Sequence, residues 1–142
     1  MMWVFGFNVT VFGVIDCPYF IENDNPRLAY TLIAVIAAEY LMVFIFAFLT
    51  MNSDTTDKVI YIEREKRARG EEFPEDDFEF YCDRCDAHVE ETSKHCRRCN
   101  RCTGEFDHHC VWLNNCIGSS NYHQFLALIM IFTLQLGSQA VI

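Results

Sequence analysis

Cysteine and histidine side chains crowd into one short part of the sequence. Seven of the eight cysteines lie between Cys82 and Cys116, together with His95, His108 and His109. Zinc is bound by thiolates and imidazoles, and a closed structural zinc site takes four such ligands. Ten candidate ligands therefore fill two closed sites and leave two residues over. A spare cysteine beside a spare histidine has the components of an activated nucleophile, although spacing alone does not identify the spare pair.

Two Cys-x-x-Cys pairs, Cys82/Cys85 and Cys96/Cys99, indicate metal binding rather than disulfide bonding. Disulfides persist in oxidising compartments, whereas the distribution of positive charge described below predicts that this segment faces the cytosol. The segment has few apolar residues of its own. We therefore expect that it does not fold without its metal.

The chain that positions this cluster has three unlike parts. It has 142 residues, of which 51% are hydrophobic and 15% aromatic, and this composition excludes a disordered chain. Its net charge of −9 argues against a protein that binds the phosphate backbone of nucleic acids. Residues 51–122 hold 26 of the 31 charged residues, and the stretches on either side are nearly uncharged. An apolar–polar–apolar chain of this kind is typical of a membrane protein.

The clearest membrane span is 28–50. Among residues 28–49 only Thr31 and Glu39 fall outside the hydrophobic set. At a rise of about 1.5 Å per residue this stretch reaches about 33 Å, which is enough to cross a hydrocarbon core of about 30 Å. The alternative is a buried helix of a soluble protein. Glu39 is a functional candidate because a carboxylate inside the membrane is costly, unless it is protonated and bonded to a neighbouring helix.

The two other apolar segments are shorter. Residues 1–15 predict a short or truncated membrane helix rather than a signal peptide, because no basic region precedes them. Residues 123–142 predict a truncated transmembrane helix. Ten of the eleven Lys and Arg residues lie between Lys58 and Arg101, so residues 51–122 are expected in the cytosol and residues 16–27 in a lumenal loop.

Residues 51–81 predict a charged cytosolic connector. Its first part, 56–69, has the spacing of a helix with ion pairs between residues four apart, and we interpret this helix as a solvated face. The two predicted pairs are Glu63–Arg67 and Glu65–Arg69.

Residues 82–122 resemble the cysteine-rich domain of the DHHC family of protein S-acyltransferases, also called palmitoyltransferases. The match has the family's order and spacing at Cys82, Cys85, His95, Cys96, Cys99, Cys102, Asp107, His108, His109, Cys110, Cys116, Asn121 and Phe125. In the family this domain lies on the cytosolic side, between the second and third membrane helices. The resemblance implies an α-helical membrane protein, with transmembrane helices and a small, irregular, zinc-stabilised cytosolic domain that carries short β-hairpins around its Cys-x-x-Cys pairs.

The resemblance also implies a role for each candidate residue. Two structural Zn2+ ions would be held, the first by Cys82, Cys85, His95 and Cys102 and the second by Cys96, Cys99, His109 and Cys116. Cys110 would be the nucleophile, His108 its base and Asp107 the group that orients His108. His88 and His123 lie outside the pattern, and we interpret both as surface or boundary residues.

The implied activity is transfer of a long-chain acyl group from acyl-CoA to cysteine thiols of target proteins, through an acyl-enzyme on Cys110. The alternative is an inactive fragment that acts as a membrane-anchored zinc-binding interaction module. The implied partners are palmitoyl-CoA, membrane-associated substrate proteins and the lipid bilayer of the ER, Golgi or plasma membrane, without nucleic acid. Arg97, Arg98 and Arg101 are candidates for contacts with the CoA phosphates, or are ordinary solvated arginines. Trp112 is either an interface anchor or a side chain packed beside the zinc.

The family's enzymes have four membrane helices and a Thr-Thr-x-Glu motif beyond the fourth. This sequence offers one complete span and two shorter apolar segments. The resemblance therefore predicts complete catalytic residues with an incomplete acyl-chain cavity, as expected for a fragment, a splice form or an incomplete gene model.

Overall fold

The computed structural model describes residues 26–141, and the side chains of residues 26–137. The predicted membrane segment 1–15 and most of the predicted lumenal loop 16–27 lie outside the described residues. The chain divides into two compact units, of which one is Leu49–Phe125 and the other comprises the flanking parts of the chain.

Two helices flank the polar part of the chain. Helix α1 is Pro26–Asn52, and helix α3 is Tyr122–Val141. Pro26 suits the first helical position, where a backbone N–H has no partner inside the helix. Among the described residues, α1 is the one helix that is long and apolar enough to cross a membrane, and its position matches the predicted span 28–50. The apolar part of α3, Tyr122–Gly137, is shorter.

Six strands of three residues pair as three separate antiparallel hairpins. The first hairpin pairs β1 (Phe80–Cys82) with β2 (Ala87–Val89), the second β3 (Lys94–Cys96) with β4 (Arg101–Thr103), and the third β5 (His108–Cys110) with β6 (Asn115–Ile117). A two-stranded hairpin of this size is not stable alone in water. The prediction of short hairpins around the Cys-x-x-Cys pairs is confirmed, and their stability has to come from outside each hairpin.

The three hairpins repeat one another every fourteen residues. The central pairs across their strands are Tyr81–His88, His95–Cys102 and His109–Cys116. One residue in each turn has a positive φ, namely Asp86 (51°), Asn100 (51°) and Asn114 (49°). Asp and Asn are the non-glycine residues that adopt this left-handed conformation most readily. The repeat was not part of the sequence interpretation, although it is visible in the sequence as a His-Cys pair at 95–96 and again at 109–110.

Helix α2, Lys58–Arg69, forms within the predicted range 56–69 and ends at Gly70, which adopts a left-handed conformation. Both predicted ion pairs are present. Most side chains of this helix are exposed, as the interpretation of a solvated face expects, but the face with Val59, Ile60 and Glu63 is buried, and for that face the interpretation is wrong. Ile60 belongs to a small core with Ala87, Val89 and Cys102, so α2 covers the first two hairpins.

A buried glutamate joins α2 to the first hairpin. Glu63 is 1% exposed, and its Oε2 accepts a hydrogen bond of 2.6 Å from the backbone N–H of His88. The same oxygen lies 3.3 Å from His88 Nδ1, and Oε1 accepts a bond of 2.6 Å from Arg67. His88 therefore lies at the boundary between core and surface, as expected, and it has a structural contact that its sequence position did not indicate.

A buried aspartate fixes the other end of α2. Asp57 is 1% exposed, and its Oδ1 caps the helix by accepting a bond of 2.8 Å from the N–H of Val59. Its Oδ2 accepts a bond of 2.9 Å from the N–H of Glu90 and another from the hydroxyl of Ser93. One carboxylate thus holds the start of α2 and the loop between the first two hairpins.

Replacing Asp57 with alanine is expected to lower the free energy of unfolding of the 49–125 unit by about 3 kcal/mol, because it removes a helix cap and leaves buried donors unpaired. Asp57→Asn keeps the capping oxygen but no longer accepts from Glu90, so its effect should be smaller. Thermal unfolding and amide hydrogen exchange of α2 measure the change. Asp76→Ala, at an exposed acid, is the control. Equal unfolding temperatures for Asp57→Ala and Asp76→Ala would contradict this account.

Candidate zinc centres and catalytic residues

The first Cys/His cluster joins the tip of the first hairpin to the strands of the second. Cys82 and Cys85 stand at the β1–β2 turn, and His95 and Cys102 face each other across β3 and β4. His95 Nδ1 lies 3.6 Å from the Cys82 sulfur, 3.3 Å from that of Cys85 and 3.8 Å from that of Cys102. The sulfurs of Cys85 and Cys102 are 3.7 Å apart.

The second cluster repeats this arrangement one hairpin further along. Cys96 and Cys99 stand at the β3–β4 turn, and His109 and Cys116 face each other across β5 and β6. His109 Nδ1 lies 3.6 Å from the Cys96 sulfur, 3.3 Å from that of Cys99 and 3.7 Å from that of Cys116. The sulfurs of Cys99 and Cys116 are 3.3 Å apart.

These distances fit a tetrahedral metal ion. With bonds of about 2.3 Å to sulfur and about 2.0 Å to nitrogen, zinc has ligand-to-ligand edges of about 3.5 to 3.8 Å. In each cluster all four ligand atoms lie within 4.8 Å of one another. The seven described cysteines are free, and the sulfur separations far exceed a disulfide bond of about 2.05 Å. The residues present therefore form two clusters suitable for zinc.

The electrostatics within each cluster favour a bound cation. Burial, followed by the neighbouring thiols Cys82 and Cys85, raises the pKa of Cys102. Burial raises the pKa of Cys116 to about 12. Thiolates are the form that binds metal, so a cation is what would allow these buried thiols to ionise. Burial, together with the charge of Arg98, lowers the pKa of His109 and keeps its imidazole in the neutral form that a metal requires.

The Cys-x-x-Cys turns favour ionisation of the first cysteine in each cluster. Burial opposes ionisation of Cys82, but the backbone N–H groups of Cys85 and Arg84 donate to its sulfur, and its pKa is lowered. Burial likewise opposes ionisation of Cys96, but the backbone N–H groups of Cys99 and Arg98 donate to its sulfur, and the pKa of Cys96 is lowered. The Cys-x-x-Cys turn thus stabilises a thiolate in each cluster.

The third hairpin carries His108 and Cys110, which belong to neither cluster. Successive side chains of a strand point to opposite faces, so His109 faces the second cluster while His108 and Cys110 share the other face of β5. Asp107 Oδ2 lies 3.4 Å from His108 Nδ1, and the His108 ring meets Phe125 edge-on with centroids 5.3 Å apart. Cys110 is 7% exposed. The structure therefore brings Asp107 and His108 into contact, and it includes no hydrogen bond between His108 and Cys110 within its described part.

Two buried asparagines hold the third hairpin in place. Asn115, directly opposite Cys110 in the sheet register, donates to the backbone oxygens of Thr50 and Ser53 at 2.9 Å. Asn121 donates to Cys116 O at 2.9 Å. Asn121 is part of the sequence pattern, whereas the sequence analysis missed Asn115. The Asn-Asn pair at 114–115 was the available signal, because a positive φ at the first residue turns the chain and the second side chain then points inward.

The remaining candidates occupy different environments. The Arg101 guanidinium is 28% exposed and is already engaged, donating to Asn115 Oδ1 at 2.6 Å and to Asp54 Oδ1 at 3.2 Å. Arg97 and Arg98 are exposed. Trp112 is 72% exposed, so its alternative of packing beside the zinc is wrong. His123 is exposed at the start of α3, as expected.

Three hairpins thus carry two Cys3His clusters suitable for zinc, and Asp107, His108 and Cys110 belong to neither cluster. Residues 75–142 match the family model described as DHHC palmitoyltransferase. The resemblance seen in the sequence is therefore confirmed over residues 75–142, the part of the chain that matches this family. Comparison with curated proteins gives no match to the chain.

Proposed function

We propose that this protein is a protein S-palmitoyltransferase that carries a long-chain acyl group from acyl-CoA to cysteine thiols of target proteins. The observation that supports this most directly is the thiol of Cys110. The cysteines at the equivalent turn position of the first two hairpins, Cys82 and Cys96, belong to Cys3His clusters, whereas Cys110 belongs to neither. A cysteine in a metal-binding module that binds no metal is available as a nucleophile.

Transfer proceeds in two thioester exchanges. The Cys110 sulfur attacks the carbonyl carbon of acyl-CoA, the bond from that carbon to the CoA sulfur breaks, and free CoA leaves with a proton. The sulfur of a target cysteine then attacks the acyl-enzyme, and Cys110 leaves as the thiol. Each step forms one thioester and breaks another, so neither needs a large driving force.

His108 moves the protons in both exchanges. It accepts a proton first from Cys110 and then from the incoming thiol. Asp107 lies against Nδ1 of His108, which leaves Nε2 for proton transfer, and the edge-on contact with Phe125 limits rotation of the ring. Asp107 thus acts as the acid does in hydrolytic triads, by fixing the tautomer and orientation of the imidazole.

The two clusters would hold structural zinc ions. Each offers four protein ligands, so a bound ion keeps no open position for substrate and supplies only rigidity. The second cluster takes a ligand from β5 and another from β6, and these two strands carry or face Cys110. Zinc bound there would keep the nucleophile strand in register.

Acyl-CoA and the bilayer complete the proposed setting. Arg97 and Arg98, exposed on the second hairpin, are suited to the CoA phosphates, whereas Arg101 is committed to Asp54 and Asn115. Ten of the eleven Lys and Arg residues lie in residues 51–122, and this supports a cytosolic position for the hairpins. The proposed membrane is that of the ER, the Golgi or the cell surface. Trp112 is suited to the membrane interface.

The test is formation of an acyl-enzyme by this chain in membranes. Clickable palmitoyl-CoA should label it, hydroxylamine should remove the label as it does from thioesters, and peptide mapping should place the label on Cys110. If the chain binds two zinc ions but takes no label, the proposal fails for this chain. The result would then favour the alternative, a membrane-anchored zinc-binding interaction module.

A further inference from the structure

The turns of the three hairpins follow one pattern. Each starts with a cysteine at the end of the first strand, continues with two exposed residues and then reaches a less exposed residue. The cysteines that start the turns are Cys82, Cys96 and Cys110, and the residues three positions later are Cys85, Cys99 and Leu113. The residue after each of these has a φ near +50°, as described above, so the backbone follows the same course in all three turns.

The third turn differs from the others at one chemically decisive position. Where the first two hairpins have the second cysteine of a Cys-x-x-Cys pair, the third has Leu113, which is 3% exposed. Two thiolates in this turn supply half of each tetrahedral cluster in the first two hairpins. A leucine side chain has no donor atom, so the third turn offers a single thiolate.

This difference matters because metal and acyl donor compete for the same form of cysteine. The thiolate is both the nucleophile and the metal ligand. A thiolate held by a metal ion through a second cysteine of its own turn is withdrawn from attack on a carbonyl carbon. A cysteine at position 113 would give the third turn the same pair of thiols that each of the first two turns contributes to its cluster.

We propose that Leu113 is the residue that keeps Cys110 free of metal and so separates a catalytic turn from the two structural ones. The effect of Leu113 on acyl transfer rests on the proposed function. The effect of Leu113 on metal binding does not, so the role of Leu113 and the proposed function can be tested separately.

The experiment introduces the missing ligand in the full chain. Leu113→Cys and the matched control Leu113→Ser, similar in size but a poor metal ligand, are purified with the wild type under a phosphine reductant that prevents disulfides. Cd2+ bound per chain is counted by mass spectrometry and by cadmium–thiolate absorption. The rate of Cys110 alkylation by N-ethylmaleimide, with and without Cd2+, is followed by peptide mapping.

The wild type and Leu113→Ser should bind two Cd2+ ions, while Leu113→Cys should bind a third. Added Cd2+ should slow alkylation of Cys110 by about tenfold or more in Leu113→Cys alone, and a chelator should restore the rate. The double variant Leu113→Cys, Cys110→Ser should lose the third ion. Cadmium protection of Cys110 in the wild type or in Leu113→Ser would overturn the inference.

The inference would also be overturned by a Leu113→Cys variant that binds two ions but gains neither a third ion nor protection of Cys110 from alkylation. These readouts need no acyl-CoA. A wild type that forms no acyl-enzyme but shows the cadmium contrast would refute the proposed function alone, and the reverse pattern would refute the role of Leu113 alone.

Discussion

Serine in place of Cys110 is expected to abolish the acyl-enzyme while both zinc ions stay bound. The hydroxyl of serine is a far weaker nucleophile than a thiolate at neutral pH, so labelling by palmitoyl-CoA should fall by about 10³-fold or more. Serine has nearly the same shape as cysteine, and Cys110 contributes to neither cluster. Label per chain and zinc per chain, measured on the same preparation, give the result.

Cys96→Ser is the matched control for this substitution, because Cys96 holds the same position in the second hairpin as Cys110 in the third. It should lose zinc as well as label. If Cys110→Ser lost a zinc ion, Cys110 would be a ligand rather than the free thiol. If it kept the hydroxylamine-sensitive label, another cysteine would carry the acyl group.

Loss of the second cluster is expected to unfold the third hairpin and to remove activity with it. Replacing Cys116 with serine takes one of four ligands from the second cluster, and structural zinc in small domains contributes about 10–16 kcal/mol. That contribution is as large as the whole stability of a typical domain, about 5–15 kcal/mol. The buried apolar side chains of the third hairpin are too few to replace it, since they are Leu113 and Ile117 beside the two cysteines.

Zinc content and hydrogen exchange test this expectation. Cys116→Ser should retain one zinc ion, lose exchange protection at Asn115–Ile117 and take no acyl label. His88→Ala is the control, because His88 has the same register position in the first hairpin but lies in neither cluster, and it should keep both ions. A Cys116→Ser protein with two zinc ions, or with wild-type labelling, would show that the second cluster does not support the third hairpin.

The predictions from sequence succeeded where the information was local. Residues a few positions apart were enough to predict the Cys-x-x-Cys pairs and the helix with its ion pairs. Counting the ligands in one short segment was enough to predict two residues beyond those of two zinc sites. A span of apolar residues likewise determines its own helix, and α1 formed where 28–50 predicted it. Spacing did not reveal which of His108 and His109 binds metal. The family resemblance assigned that role, and the alternation of side chains along β5 explains it.

The failures concern contacts between distant residues. Glu63 and Asp57 lie in a stretch whose composition is typical of a solvated connector. Both are nevertheless buried, because backbone N–H groups 25 and 33 positions away donate hydrogen bonds to their carboxylates. Arg101 lies in the basic stretch considered for phosphate contacts, and its guanidinium donates to Asp54 and Asn115, two distant partners that the sequence analysis did not predict. No local pattern encodes such partners, because each depends on how α2 and the hairpins come together.

The sequence by itself determined which ligand types this chain offers, how many there are and how they are spaced, because these are properties of the chain alone. Only the tertiary structure decided how these residues are brought together. Each cluster takes the turn of one hairpin and the strands of the next, so that hairpins too small to be stable alone are joined in series. In the described part of the chain, helix α3 rather than another hairpin follows the third hairpin, and Leu113 stands where the first two turns have a second cysteine. The proposed role of Leu113 in keeping Cys110 free of metal therefore depends on an arrangement of hairpins that the structure shows.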